Sequence, residues 1–265
     1  IFILAPDKPL KELLLDPDLA LLVLSTAIVI GSGYIINSFY DAEKDLINRP
    51  RKTLLDRHIS QRAKITAYFK GNFIAVFMAS AVSFRAVVFF SAYIFGIWLY
   101  SHKLKRITFV GNLVSASLAI TPFFTVFVYY KNLAPVIFVH AVFLFLLILA
   151  KEMVKDLENL TGDLTQNYKT VAVRYGTRFS KYCISLLLIA TALPTYALIR
   201  YFNVGAMDVY FKGAFMLVIL VVIALWWAHQ KQHYLGIHNL LKFIIVAGVF
   251  GILLIDPDLL LRRFI

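Results

Sequence analysis

Residues 37–45 read NSFYDAEKD, in which Asn37, Asp41 and Asp45 recur at every fourth position. At about 100° per residue on a helix they fall within an arc of roughly 80°. Two carboxylates and an amide on one face repel unless a cation sits among them. Such a face is either the wet end of a helix or an oxygen-rich metal site, and the spacing alone favours neither. A second acidic stretch, KEMVKDLENLTGD over 151–163, changes the balance. On a continuous helix Glu152, Asp156, Asn159 and Asp163 lie within roughly 60°, while Glu158 points the other way. Gly162 is a candidate break before Asp163. Carboxylate and amide oxygens suit a hard divalent ion such as Mg2+, which keeps waters and bridges carboxylates to substrate phosphates. No Cys/His cluster competes for a softer metal. His229 and His233 are four apart without a carboxylate and read as interfacial loop residues; the lone Cys183 reads as a small packing residue.

The elements that must carry these faces are apolar. The 265 residues are 60% hydrophobic and 16% charged, with a mean hydropathy of +0.77, against about 45–50% and 25% for a soluble domain. The expectation is an all-α, polytopic transmembrane helix bundle forming one domain over 1–265. Apolar runs near bilayer length predict eight full spans, at 19–37, 65–84, 86–100, 107–130, 134–150, 182–199, 210–228 and 239–255. The chain opens on IFILA without an initiator Met, so a truncated ninth helix is expected at the N-terminus.

The net charge of +12 does not point to nucleic acid, because the basic residues sit in loops between apolar runs. Connections 38–64, 101–106, 151–181 and 229–238 carry 17 of the 27 Lys and Arg, against 8 on the opposite side. The positive-inside bias therefore turns the two acidic stretches to the cytoplasm, with the chain a multi-pass protein of the cell inner membrane. The first and third connections are long for simple linkers. The similar stretches LLLDPDLALL and LLIDPDLLLRR read as Asp-Pro helix starts at the outer surface. Arg49, Arg51, Lys52, Lys103, Lys105, Arg106, Lys169 and Arg174 flank the acids. They read as topology anchors, with a subset able to bind phosphate oxygens.

NSFYDAEKDLINRP resembles the NxxxDxxxD motif of the UbiA superfamily of intramembrane prenyltransferases. KDLENLTGD, followed by YKTVAVRYG, resembles that family's second acidic motif, KDxxDxxGD with a downstream Lys-Thr and Arg-x-Gly. YSHKLKR followed by Gly111 and Asn112 resembles a third family stretch. The resemblance spans about residues 20 to 180. Departures are Asn159 where the family often has Asp, Lys52-Thr53 where Arg-Pro is common, and His58 for a frequent Arg.

The resemblance implies nine helices around a lipid-open central cavity with a cytoplasmic polar cap. It implies Mg2+ as cofactor, held by Asn37, Asp41, Asp45, Asp156 and Asp163 with Asn159 assisting, and catalysis resting on Asp41, Asp45, Asp156 and Asp163. The metal would grip the diphosphate of an isoprenoid substrate. Lys103 and Lys169, with Arg49 or Arg174, would share its charge, and Tyr40 and Tyr100 would stabilise the allylic cation. The KEMVKDLENLTGD form leans towards the branch that alkylates geranylgeranylglycerol phosphate in the membrane. The alternative acceptor is an aromatic one of the 4-hydroxybenzoate type, used in quinone biosynthesis. Outside this class stand an ion-coupled transporter and a non-catalytic scaffold. Transport is disfavoured because the acids sit at helix ends flanked by basic loops rather than at the bilayer midplane.

Overall fold

The computed structural model describes residues 12, 15–48, 50, 59–130, 134–202 and 204–251. Every regular element among them is helical. In chain order they are α1 (Pro17–Tyr40), α2 (Ala42–Asn48), α3 (Gln61–Val82), α4 (Phe84–His102), a 3₁₀ turn (Leu104–Arg106), α5 (Val110–Tyr130), α6 (Pro135–Glu158), α7 (Leu160–Thr165), α8 (Val171–Ala190), α9 (Ala192–Tyr201), α10 (Met207–Trp227) and α11 (Lys231–Gly251). Among the described residues seven stretches are long and apolar enough to cross a membrane, α8 and α9 counting together as Val171–Tyr201. A shorter apolar helix, Val110–Thr125, falls in the region of the expected fourth span. The chain is thus a multi-pass integral membrane protein, with seven candidate spans among the described residues. The expected N-terminal helix and Arg49, Arg51, Lys52, Thr53 and His58 lie outside the described residues.

The described chain divides into two compact units. The N-terminal unit comprises residues 12–129 together with 161–170. Asp16 starts α1 by accepting hydrogen bonds from the amides of Asp18 and Leu19, with Pro17 at the first helical position. This is the helix start the Asp-Pro pattern predicts. Ser83 caps α4 in the same manner, through the Ala86 amide. In lipid there is little hydrophobic drive between helices, so close backbone approach through small residues does the work. Accordingly α1 and α3 meet through Ser25, Ser32, Gly71, Ala75 and Ala79, with the Ser25 hydroxyl donating to the Ala75 carbonyl at 3.1 Å. Phe90 and Tyr93 of α4 close this core. At one end the Tyr129 hydroxyl, near the end of α5, donates to Asp16 at 3.2 Å. At the other end α1, α4 and the segment 161–170 present the polar residues described below.

The C-terminal unit comprises residues 130–160 and 171–251 among those described. Its centre is α6, the most buried of the spans, packed against α8, α9 and α11. Tyr210 of α10 donates to the Ile244 carbonyl of α11 at 2.9 Å, and Trp226 donates to the Ser185 hydroxyl of α8 at 3.2 Å. Helices α8 and α11 begin well before their apolar runs, at 171 and 231 instead of 182 and 239. Hydropathy registers only the hydrocarbon-matched part of a helix, whereas the polar turns RYGTRFSKY and KQHYLGIHN are helical as well, the first of them on both sides of a kink at Gly176. Within α8 the backbone departs from helical geometry at Gly176, whose φ of 84° is a left-handed value that side-chain-bearing residues avoid.

Candidate functional site

The acidic stretch 37–45 forms as its spacing requires, with one adjustment. Helix α1 ends at Tyr40 and Asp41 is its C-cap, its amide bonded to the Asn37 carbonyl at 2.9 Å. Asp45 in turn bonds through its amide to the Asp41 carbonyl at 2.8 Å, so α2 continues nearly in line. Glu43 is exposed, as a residue off the shared face should be.

Asn37 and Asp41 converge on one ammonium group. Lys105 Nζ lies 2.7 Å from Asp41 Oδ1 and 3.2 Å from Asn37 Oδ1. The Tyr168 hydroxyl donates to the same Asp41 oxygen at 3.0 Å. Burial opposes ionisation of Asp41, but Lys105 and Lys44 outweigh it and hold the carboxyl below its ordinary range. For Lys105, burial lowers the ammonium's affinity for its proton and Asp41 opposes this. For Tyr168, burial and then the Asp41 charge push the phenol well above its ordinary value, so it remains a donor.

Lys44, three residues after Asp41, pairs with Asp163 at 2.5 Å and stands 4.4 Å from the centre of the Tyr168 ring. Arg106 lies 5.1 Å from that ring. Asp163 is fully buried, and its position depends on a close backbone approach. The Gly162 amide donates to Asn48 Oδ1 at 3.2 Å, and a Cβ at Gly162 would collide with the Asn48 side-chain amide. The segment after α7 is tied to the 3₁₀ turn by the Lys169 amide on the Arg106 carbonyl at 3.0 Å and by the Thr108 hydroxyl on the Lys169 carbonyl. Asn37, Asp41, Lys44, Lys105, Asp163 and Tyr168 thus gather at one end of the N-terminal unit.

In the C-terminal unit α6 runs on through 151–158, as expected, and ends at Asn159, a buried C-cap bonded through its amide to the Lys155 carbonyl. The break therefore falls at Asn159 and not at Gly162, and Asp163 belongs to the separate turn α7. Asp156 is half-buried near the end of α6. Glu152, the first member of the expected acidic face, is bracketed by Lys151 at 2.7 Å and Lys155 at 3.1 Å. Glu158 is buried against His238.

The basic and aromatic residues expected at the site differ in burial. Lys103, Lys169 and Arg174 are exposed, and Arg174 lies over the ring of its neighbour Tyr175. Arg49 lies outside the described residues. Within YSHKLKR it is Lys105, not Lys103, that reaches the acidic motif. Tyr40 is half-buried, with its ring 5.9 Å from Lys105 Nζ and 5.3 Å from the His102 ring; Tyr100 is also half-buried. Lys44, Lys105 and Tyr168 lay within the stretches singled out, but no local spacing marked them.

Among the described residues no three His, Cys, Asp or Glu side chains gather into a metal cage. The donor chemistry still fits Mg2+. The amide oxygen of Asn37 and the carboxylate of Asp41 already share a single cation, and Mg2+ is commonly held by one or two carboxylates plus substrate phosphates.

The sequence profile of the UbiA prenyltransferase family matches residues 6–255. The digeranylgeranylglyceryl phosphate synthase of Thermococcus sibiricus is 31% identical over 231 residues, covering 84% of this chain and 79% of the relative. That of Thermococcus gammatolerans is 27% identical over 241 residues, covering 89% and 85%. The solved structure of a UbiA homolog from Archaeoglobus fulgidus bound to GPP and Mg2+ superposes with a TM-score of 0.69 at 14% identity, covering 95% of this chain and 91% of that one.

Proposed function

The chain belongs to the UbiA prenyltransferase family, and on that premise we propose that it transfers the prenyl group of an isoprenoid diphosphate to the free hydroxyl of geranylgeranylglycerol phosphate, releasing diphosphate. That it is a prenyltransferase follows from family membership. The acceptor is supported by the two Thermococcus relatives, both digeranylgeranylglyceryl phosphate synthases, and by the lipid-branch form of 151–163. The observation that carries the site reading is the convergence of Asn37 and Asp41 on one cationic point.

The residues of the N-terminal unit that would hold Mg2+ are Asn37, Asp41, Asp45 and Asp163; Asp156 and Asn159, in the C-terminal unit, are assigned to the metal on the motif resemblance alone. Mg2+, when bound, supplies charge neutralisation to the departing diphosphate. The chain's own part is electrostatic. Lys105 and Lys44 keep Asp41 ionised, Lys44 also pairs with Asp163, and both lysines can share charge with phosphate oxygens, joined by the exposed Lys103, Lys169 and Arg174 and by Arg49. One such preorganised donor is worth roughly 3–4 kcal/mol at the transition state. The allylic C–O bond breaks with its electron pair leaving on the diphosphate. The acceptor hydroxyl oxygen then captures the allylic carbon to form an ether, and its proton leaves with the diphosphate. Tyr40 and Tyr100 would face the cation, each contributing about 1–2 kcal/mol. The basic loops support a cytoplasmic orientation of this chemistry, with residues 1–265 acting as one domain in the cell inner membrane.

The test offers purified protein labelled geranylgeranyl diphosphate with geranylgeranylglycerol phosphate or 4-hydroxybenzoate, in Mg2+ or EDTA. We expect an ether lipid in Mg2+ alone. Full product in EDTA removes the metal reading, and a prenylated benzoate replaces the acceptor.

A further inference from the structure

Glu158 is the last residue of α6, two positions after Asp156 and one before Asn159. It points away from the face those residues were predicted to share, and it is 5% exposed. Its Oε2 lies 2.7 Å from Nδ1 of His238, itself 3% exposed, on the second turn of α11. Both residues belong to the C-terminal unit. The cost of burying a carboxylate and an imidazole among apolar helices is recovered only when the two are joined. A helix end can rotate or fray by a turn at little cost. This one cannot do so without separating the pair.

We infer that Glu158 and His238 are positioning residues that fix the rotational setting of the last turn of α6, and with it the direction in which Asp156 and Asn159 present their oxygens. The inference rests on the reading of Asp156 and Asn159 as metal-holding residues. Partners behind a metal's direct ligands commonly change metal affinity by about 10–100-fold when removed. The pair's chemistry suits that task. An imidazole Nδ1–H is a short, directional donor, and Asn at the same position can offer an amide N–H close to the Nδ1 site.

The experiment uses the full chain in detergent. Mn2+ binding in the presence of inorganic diphosphate is followed by electron paramagnetic resonance, alongside kcat, KM and thermal midpoint. His238→Ala and Glu158→Gln should each weaken Mn2+ binding about tenfold, the double variant should be no worse than either single one, and His238→Asn should recover most of the affinity. Trp226→Phe is the control. It removes the hydrogen bond to Ser185 in the same unit and should lower the midpoint while leaving Mn2+ affinity unchanged. Unchanged Mn2+ affinity in Glu158→Gln and His238→Ala overturns the inference, as does a loss in Trp226→Phe equal to theirs. If His238→Ala does not fold, Glu158→Gln alone decides by the same criterion. A wild-type protein that binds no Mn2+ with diphosphate instead overturns the metal reading on which the inference stands.

Discussion

Lys105 reaches from the 3₁₀ turn after α4 to Asp41 at the end of α1, with its ammonium 2.7 Å from the carboxylate and both side chains largely buried. Removing the lysine strands Asp41 without its nearest positive charge. Lys105→Met should lower stability by about 3 kcal/mol, as breaking a buried pair does, and reduce kcat by about 10²–10³-fold. Lys103→Met, two residues away and exposed, should change stability by no more than about 0.5 kcal/mol and, its charge being screened by solvent, should reduce kcat less than Lys105→Met does. Thermal unfolding and labelled-lipid formation compare the two. Equal losses would show that the stretch acts as a general basic anchor.

Asp41→Asn keeps the size of the side chain but removes the charge that Lys105, Lys44 and Tyr168 surround. Product formation should fall by at least about 10²-fold. Glu43→Gln, on an exposed side chain of the same segment, should leave turnover within about twofold, as a surface change normally does. If Glu43→Gln proved as damaging as Asp41→Asn, the helical geometry behind the site would be mistaken.

The pH dependence follows from the depressed carboxyl of Asp41. A carboxyl whose folded pKa lies below its unfolded value contributes stability that is complete above the unfolded value and lost as pH falls through the folded one. The stability difference between wild type and Asp41→Asn should therefore be flat from about pH 5 to 8 and shrink only below about pH 4. Differential scanning of both proteins across that range measures it. The raised phenol of Tyr168 remains protonated over the same range. Tyr168→Phe should thus cost about 1.5–3 kcal/mol, the worth of a hydrogen bond to a charged acceptor, with no change in the shape of the pH profile between 5 and 8.

Gly162→Ala puts a methyl group against the Asn48 amide and displaces α7, which carries Asp163. Overpacking of this kind costs about 1–3 kcal/mol, and Mg2+ half-saturation should rise with it. Asn48→Ala in the same chain makes room for the methyl, so the double variant should recover part of the stability lost by Gly162→Ala. Additive losses would place the strain elsewhere.

What could be read from the chain alone is local. The spacing of Asn37, Asp41 and Asp45 on a helix end, the continuation of α6 through 151–158 and most of the apolar spans follow from a repeat of 3.6 residues and the thickness of a bilayer, and both act over neighbouring positions. What only the tertiary structure decided are the partnerships made across long stretches of chain. Lys105 and Asp41 are 64 residues apart, Tyr168 and Asp41 127, and His238 and Glu158 80. No periodicity distinguishes Lys105 from Lys103, since their difference is which one the turn after α4 directs inward. The pairing of Glu152 with Lys155 three residues on is local, but no spacing reveals that α6 stops at Asn159. Helix periodicity sets which residues share a face, while the packing of helices distant in sequence sets which charges on those faces meet.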